Sequence, residues 1–353
     1  MARGLEGVVP GLTITTATGD LGTDPKIRLR GLTGSINTGP AGAAPLILVD
    51  NVEIPSLQLL NPDDIESISV LKDAASSSIY GTRAAFGVIL ITTKTGKRNA
   101  PQTITYSNNF AWSSPLGAPQ LASAADNSQA SLLALQRFNP NVSSYSIIGF
   151  SVDSASIAKT RAWEQQYGNQ HLSPEMVKGR DFDIIGGKLY FYRSWDPEKE
   201  FLKQWTPQQS HNLSVSGGSE KINYNLGLGY LNEAGVLKVN PDEFKRYNFN
   251  LGVNASATNW LDVRGKVIFS NTLTTSPYSF SSSQYGPYYY LYRWPANYPY
   301  GTYKGLPFRS AVTEVAQAHM DEDKNNLSRI AVGGTFKILK GLTVDADYTY
   351  SQT

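Results

Sequence analysis

The 353-residue sequence contains no cysteine, and that absence removes disulfide staples, thiol catalysis and thiolate metal sites together. Histidine is scarce as well. His171, His211 and His319 are the only three, and no pair of them has metal-ligand spacing. No nucleophile elbow, P-loop or dinucleotide fingerprint occurs, since Thr93 to Lys97 (TKTGK) lacks the upstream glycine of a Walker motif. These absences argue against an enzyme and against a resident cofactor or metal. Asp321 to Asn325 (DEDKN) places oxygen ligands at the first, third and fifth positions of a calcium loop. Asn326 then stands where the turn glycine belongs and Val332 where the bidentate glutamate should be, which rejects an EF-hand and leaves a solvated acidic loop. Charge of one sign is missing too: 31 basic residues against 29 acidic ones leave a net charge of +2, no reason to expect nucleic acid as a partner. Finally, no run of about 18 apolar residues exists, which excludes a transmembrane helix. A mean hydropathy of -0.28 does not exclude a membrane, because barrel strands carry only half their residues as apolar.

What the sequence does have is alternation. Between Lys221 and Leu231, Ile222, Tyr224, Leu226, Leu228 and Tyr230 alternate with Asn223, Asn225, Gly227 and Gly229. Arg246 to Ser256, Leu261 to Phe269 and Leu342 to Tyr350 repeat the pattern, and a period of two means strands. About seven are expected: Thr103 to Trp112, Ser210 to Gly217, Lys221 to Leu231, Arg246 to Ser256, Trp260 to Ser270, Leu327 to Ile338 and Leu342 to Tyr350. Strands of about 10 residues suit an antiparallel lipid-spanning barrel. Long and short connections alternate along the chain, with residues 113–209 and 271–326 as long external loops, as such a barrel requires. The competing reading is a soluble, secreted β-rich binding or adhesion module, in which the apolar faces form a sandwich core. The two differ in where Ile222, Tyr224, Leu226, Phe249 and Leu251 point. The bias to 20 Tyr and 6 Trp against 13 Phe suits rings at lipid headgroup level.

Residues 1–97 read as a separate α/β unit, ahead of an all-β part over residues 98–353. Lys26 to Gly31, Pro45 to Val52, Ser67 to Leu71 and Gly87 to Lys94 are its expected strands, the second and last apolar on both faces. Asn61 and Pro62 open a short helix; Asp73 caps another running to Tyr80, which Gly81 ends.

Several segments of this unit carry a resemblance: GLEGVVPGLTI from Gly4, IRLRG from Ile27, PLILVDNVEI from Pro45 and NPDDIESISVLKDAASSSIYGTRAAFGVILITTKTGK from Asn61. So do HNLSVSGGSEKINYNLGLGYLNEAGVL from His211 and KRYNFNLGVNASATNWLDV from Lys245. The chain resembles the SusC/RagA family, TonB-dependent outer-membrane transporters of Bacteroidota that import glycans and peptides. It departs from the family's VVDGVP segment at Asn51 and Glu53, although asparagine tolerates a left-handed backbone. The resemblance implies an α/β plug followed by the first strands of an incomplete barrel that closes with about 22 strands. A signal peptide, an accessory domain, the TonB-binding box and the first plug strand are expected before Met1, and the rest of the barrel after Thr353. It also implies a bacterial outer-membrane location, a SusD-like surface lipoprotein and TonB as partners, contact with outer-membrane lipid, and no catalytic activity.

Two sets of candidate functional residues follow. Arg28, Arg30, Gly31, Asp50, Lys72, Asp73, Tyr80, Gly81, Arg83 and Gly87 belong to the plug signature and its contacts with the barrel. Arg28 and Arg30 share one face and are expected to pair with Asp262 and Asp345 on the inner wall, the alternative being an ordinary surface pair of arginines. Tyr288, Tyr289, Tyr290, Tyr292, Trp294, Tyr298, Tyr300 and Tyr303 are expected to offer aromatic faces to a ligand or a lid protein, or else to pack on themselves.

Overall fold

A sandwich turns the apolar face of an alternating strand into protein, and a membrane barrel turns it away. The computed structural model describes residues 12–15, 21–29, 44–72, 78–115, 121–147, 149–278 and 295–353. In the N-terminal unit, β1 (Leu12–Thr15) and β2 (Lys26–Leu29) form an antiparallel pair. β3 (Leu46–Val49), β4 (Val52–Glu53), β5 (Ile65–Leu71) and β6 (Val88–Thr93) make a second sheet in the order β4-β3-β6-β5, with β3 and β6 parallel at its centre. Val49, Val88, Ile89 and Ile91 are buried there, as strands covered on both faces must be.

The turn between β3 and β4 has Asp50 at φ 48° and Asn51 at φ 66°, two successive left-handed residues of the kind that match the twist of a hairpin. Asn61 caps a 3-10 turn over Pro62–Asp64, its side chain accepting from the Asp63 N–H at 3.3 Å. Gly81 ends the turn through Tyr80 as expected, breaking Ser78–Ala84 into two 3-10 turns at φ 69°, ψ -157°, a region open only to glycine. Asp73, its proposed cap, lies outside the described residues, as do Arg30 and Gly31.

The chain then enters a seven-stranded antiparallel wall with β7 (Thr103–Ser113). The first long connection is not a bare loop. It holds α1 (Ala124–Phe138), β8 (Ser144–Ile147), β9 (Phe150–Asp153), α2 (Ser154–Tyr167), β10 (Phe182–Ile185), β11 (Lys188–Phe191) and α3 (Pro197–Phe201). The wall resumes with β12 (Thr206–Gly218), β13 (Ile222–Ala234), β14 (Glu243–Ser256) and β15 (Leu261–Pro277). After a second excursion with β16 (Thr302–Tyr303), β17 (Leu306–Pro307) and α4 (Ala311–Gln317), β18 (Met320–Leu339) and β19 (Leu342–Gln352) complete it. Strand order β19-β18-β15-β14-β13-β12-β7 is a plain meander, so the three short turns share one rim and the three longer connections the other.

Two expectations need correcting. The strands run past their alternating cores, so β15 continues to Pro277 and β18 begins at Met320, beyond the limits 271 and 326 set for the second loop. Asp321, Glu322 and Asp323 are therefore strand residues paired with Ser276, Thr275 and Thr274, not an acidic loop. Apart from Leu273 and Met320 these extensions are polar on both faces, which erases the period-two signal.

The wall is inside out for a soluble protein. Ile222 is 47% exposed and Leu228 39%, whereas Asn225 is 4% and Asn250 3% exposed. Ile104, Tyr106, Phe269, Ile330, Val332 and Tyr348 are exposed with the first pair. A sandwich would bury that face; here the buried face is the polar one, which lies against the N-terminal unit. Aromatic rings cluster at two heights on the apolar side: His211, Tyr230 and Tyr247 in a row across β12, β13 and β14, and Trp260 against Phe336 near the short turns. Two such levels bounding an apolar band are the girdles of a membrane barrel.

Candidate functional site

The polar face of the wall grips the N-terminal unit through side chains that the alternation aims inward. Lys266 on β15 reaches Asp50 at 2.7 Å. Asp50 in turn accepts from the Thr93 N–H and hydroxyl at 3.0 Å each, tying the β3–β4 turn to the end of β6. Arg329 on β18 donates to the Val49 carbonyl and to the Glu53 carbonyl at 3.0 Å each. Arg246 on β14 donates to the Gln58 carbonyl at 3.0 Å, and Asn248 to that of Leu59 at 2.9 Å. Asn61 donates to Asn212 of β12 at 2.9 Å, and Asn223 of β13 to the Gly96 carbonyl at 2.8 Å. Ile268 and Leu327 add apolar contact with the core of the unit. The seam is thus a band of charge-assisted and amide hydrogen bonds with a small apolar centre. Such bonds exchange readily with water, whereas an apolar core does not.

This arrangement reverses the expected polarity. Arg28 is exposed on β2, and its proposed acids are engaged elsewhere: Asp262 by Lys337 at 2.8 Å and Arg98 at 3.7 Å, and Asp345 by Arg264 at 3.4 Å, which also pairs with Asp347 at 2.6 Å. The wall supplies cations and the N-terminal unit supplies an acid and carbonyl oxygens. The remaining signature residues hold local structure. Arg83 pairs with Glu53 on the surface, Tyr80 packs on the cluster of Leu48, Ala84 and Val88, and Lys72 is half-buried after β5. Gly87 has φ 93°, and a Cβ there would run into Leu29 and the Leu71 carbonyl, so only glycine fits.

At the long-connection rim the two excursions fold together into a cap. Phe150, Met176, Phe182, Phe191 and Trp195 from the first share a core with Tyr298, Tyr300, Tyr303 and Phe308 from the second. A second cluster joins Phe201 and Leu202 to Leu237 of the β13–β14 connection and to Val315. Asp181, with no exposed side-chain surface, anchors the cap. It accepts from the Trp163 indole at 2.9 Å, the Val177 N–H at 2.7 Å and a bidentate Arg180 at 3.0 and 2.7 Å. Burial alone would raise its pKa, but these donors hold it below the usual carboxylate range.

The aromatic loop must be corrected in part. Tyr298 is 2% exposed, and Tyr300 and Tyr303 are half-buried in the same core, with burial pushing the Tyr300 hydroxyl upward. All three build the cap, and Tyr298 in particular is withdrawn from solvent. Tyr288, Tyr289, Tyr290, Tyr292 and Trp294 lie outside the described residues. Among the described residues no cluster of three or more His, Cys, Asp or Glu side chains is arranged to hold a metal. Missed by the sequence reading were Lys266, Arg329 and Arg246, although their inward parity within alternating strands was there to be read.

Comparison with known proteins matches residues 1–88 to the TonB-dependent Receptor Plug Domain family. TonB-dependent receptor P39 of Formosa agariphila is 30% identical over 253 residues, 71% of this chain and 20% of that protein. TonB-dependent receptor SusC of Bacteroides thetaiotaomicron is 25% identical over 261 residues, 71% of this chain and 21% of that protein. The chain spans about a fifth of the length of these relatives. A solved structure of the RagAB peptide importer in an open-open state superposes with a TM-score of 0.70 at 23% identity, covering 99% of this chain and 38% of that one. The N-terminal unit is therefore a plug, and the inverted sheet is the beginning of the barrel wall around it, the architecture of a TonB-dependent receptor. Within that class the chain is a SusC/RagA-like outer-membrane protein.

Proposed function

We propose that the chain forms the plug, over residues 1–97, and the first part of the barrel, over residues 98–353, of a transporter that imports glycan or peptide ligands across the outer membrane. The observation that carries this reading is the plug seated by polar contacts against the inward face of a lipid-facing wall. Such a seam closes the lumen at rest and yields to a pull without exposing a large apolar core. TonB supplies that pull in this reading, and a SusD-like surface lipoprotein delivers the ligand to the external rim. The RagAB likeness favours peptides; the resemblance to SusC keeps glycans in view. The relatives are receptors and not enzymes, and catalysis has no part in the proposal.

The test is uptake. Cells carrying the intact transporter, an isogenic deletion strain and a strain lacking TonB are given a dye-labelled tryptic peptide pool and, separately, a dye-labelled oligosaccharide pool. Periplasmic accumulation of one pool that requires both the transporter and TonB is expected. Equal accumulation of both pools in all three strains would overturn the reading.

A further inference from the structure

We propose that Gly227 and Gly229 form a notch in the barrel wall that seats the plug's Asn61–Asp64 turn and sets the plug's position in the lumen. Both glycines lie on the inward face of β13, two residues apart, where a missing Cβ leaves a shallow recess. The turn fills it. A Cβ on Gly227 would overlap a carboxylate oxygen of Asp64, and one on Gly229 would stand 2.6 Å from the Asn61 amide nitrogen and 3.2 Å from the Asn212 amide oxygen.

The recess is framed by polar neighbours. Gly229 lies between Asn212 and Asn248, and Gly227 between Ser214 and Asn250, on β12 and β14. Asn212 accepts from Asn61, and Asn248 holds the Leu59 carbonyl just upstream of the turn. The turn is itself stiff, with Pro62 fixing one φ and the Asn61 cap holding the Asp63 N–H. A rigid knob and a side-chain-free hole define one register, whereas long lysines and arginines at the seam adapt to several. Asp64 is desolvated by its close approach to the wall, which pushes its carboxyl up to about 6. Gly252 supplies the contrast. It faces inward on β14, directly opposite Asn225, yet a Cβ there would meet nothing within 4 Å.

The inference rests on the plug-gated reading, and the experiment separates the two. In the intact transporter, Gly227→Ala and Gly229→Ala are compared with Gly252→Ala by salt conductance in planar bilayers and by cellular sensitivity to vancomycin. Expected are a persistent leak in the first two, none in the third, and a heat-modifiable barrel band in all. Trimming the knob should cure the first defect, so Gly227→Ala/Asp64→Ala returns to the resting conductance, a coupling that a general folding fault would not show. Identical conductance in all three single variants would overturn the notch. Should an alanine variant lose its barrel band, the deciding measurement is thiol crosslinking of Asn61→Cys with Asn212→Cys, clean within a segment that has no cysteine. Crosslinking in resting membranes supports the seat and its absence overturns it. A crosslinked transporter that still imports the labelled pool would leave the seat standing and remove the gate.

Discussion

Asn51 and Asp50 show how one residue choice fixes a functional contact. Their left-handed turn presents the Asp50 carboxylate to Thr93 and Lys266 at once. Asn51→Gly should leave plug stability unchanged, while Asn51→Val should cost about 1 to 2 kcal/mol from the left-handed backbone alone, measured by urea melting of the plug in the assembled transporter. Asp64 yields a pH prediction. Its carboxyl is raised from 3.8 to about 6 by burial first, opposed by Lys94, reinforced by Asp63, and opposed again by Arg246 and Lys266. The seated plug therefore keeps a proton that a hydrated plug would lose. Seating is favoured most below the ordinary value, and that advantage is lost as pH rises through about 6. Urea should release the plug more easily at neutral pH than at about pH 5, the middle of that window, and Asp64→Asn should flatten the difference.

At the scale of elements, legibility followed periodicity. The alternation located all seven wall strands, because lipid on one side and a wet lumen on the other impose opposite demands on neighbouring residues. It failed where those demands lapse, in the polar ends of β15 and β18. The cap helices escaped for a different reason. α1 and α2 bury only narrow stripes, such as Ile157, Thr160 and Trp163 on α2, too weak for a clear 3.6-residue period. Their caps were the available clue: Ser123 accepts from the Asp126 N–H at 3.1 Å, and Asp153 with Ser156 forms a reciprocal box. The cap should stand or fall as a unit. Asp181→Ala would leave the Trp163 indole and the Val177 N–H without their buried acceptor, at a cost of roughly 1 to 3 kcal/mol for each unsatisfied group. Limited proteolysis should then cut residues 121–205 while the barrel band persists.

For the whole molecule, the decisive property is which face of the wall is wet. Leu226→Arg, near the middle of β13 on the lipid side, should destabilise the barrel by roughly 2 to 4 kcal/mol, read from the temperature at which the heat-modifiable band disappears. Asn250→Arg, on the opposite face, should leave that temperature alone but displace the plug, since Asn250 is 3% exposed on the face that lies against it. A secreted sandwich would reverse the first result. Class and layout were thus readable from a single chain, whereas the plug contacts were not. Parity shows that Lys266, Arg246 and Arg329 point inward but not which carbonyl or carboxylate awaits them, because the partners come from turns near residues 50 and 60.

The length of β18 has a further consequence, one of altitude. Between Phe336 and the level of Tyr247 its run crosses about 25 Å of apolar band. Six more residues, Met320 to Asn325, rise beyond that level at about 3.3 Å each along a tilt near 45°, or roughly 14 Å. Glu243, Lys245, Glu322 and Lys324 charge the side that faced hydrocarbon below. The barrel therefore continues as a stem above the bilayer and carries the cap clear of the headgroups. Whatever docks there meets the protein roughly 14 Å beyond the apolar band rather than at the lipid.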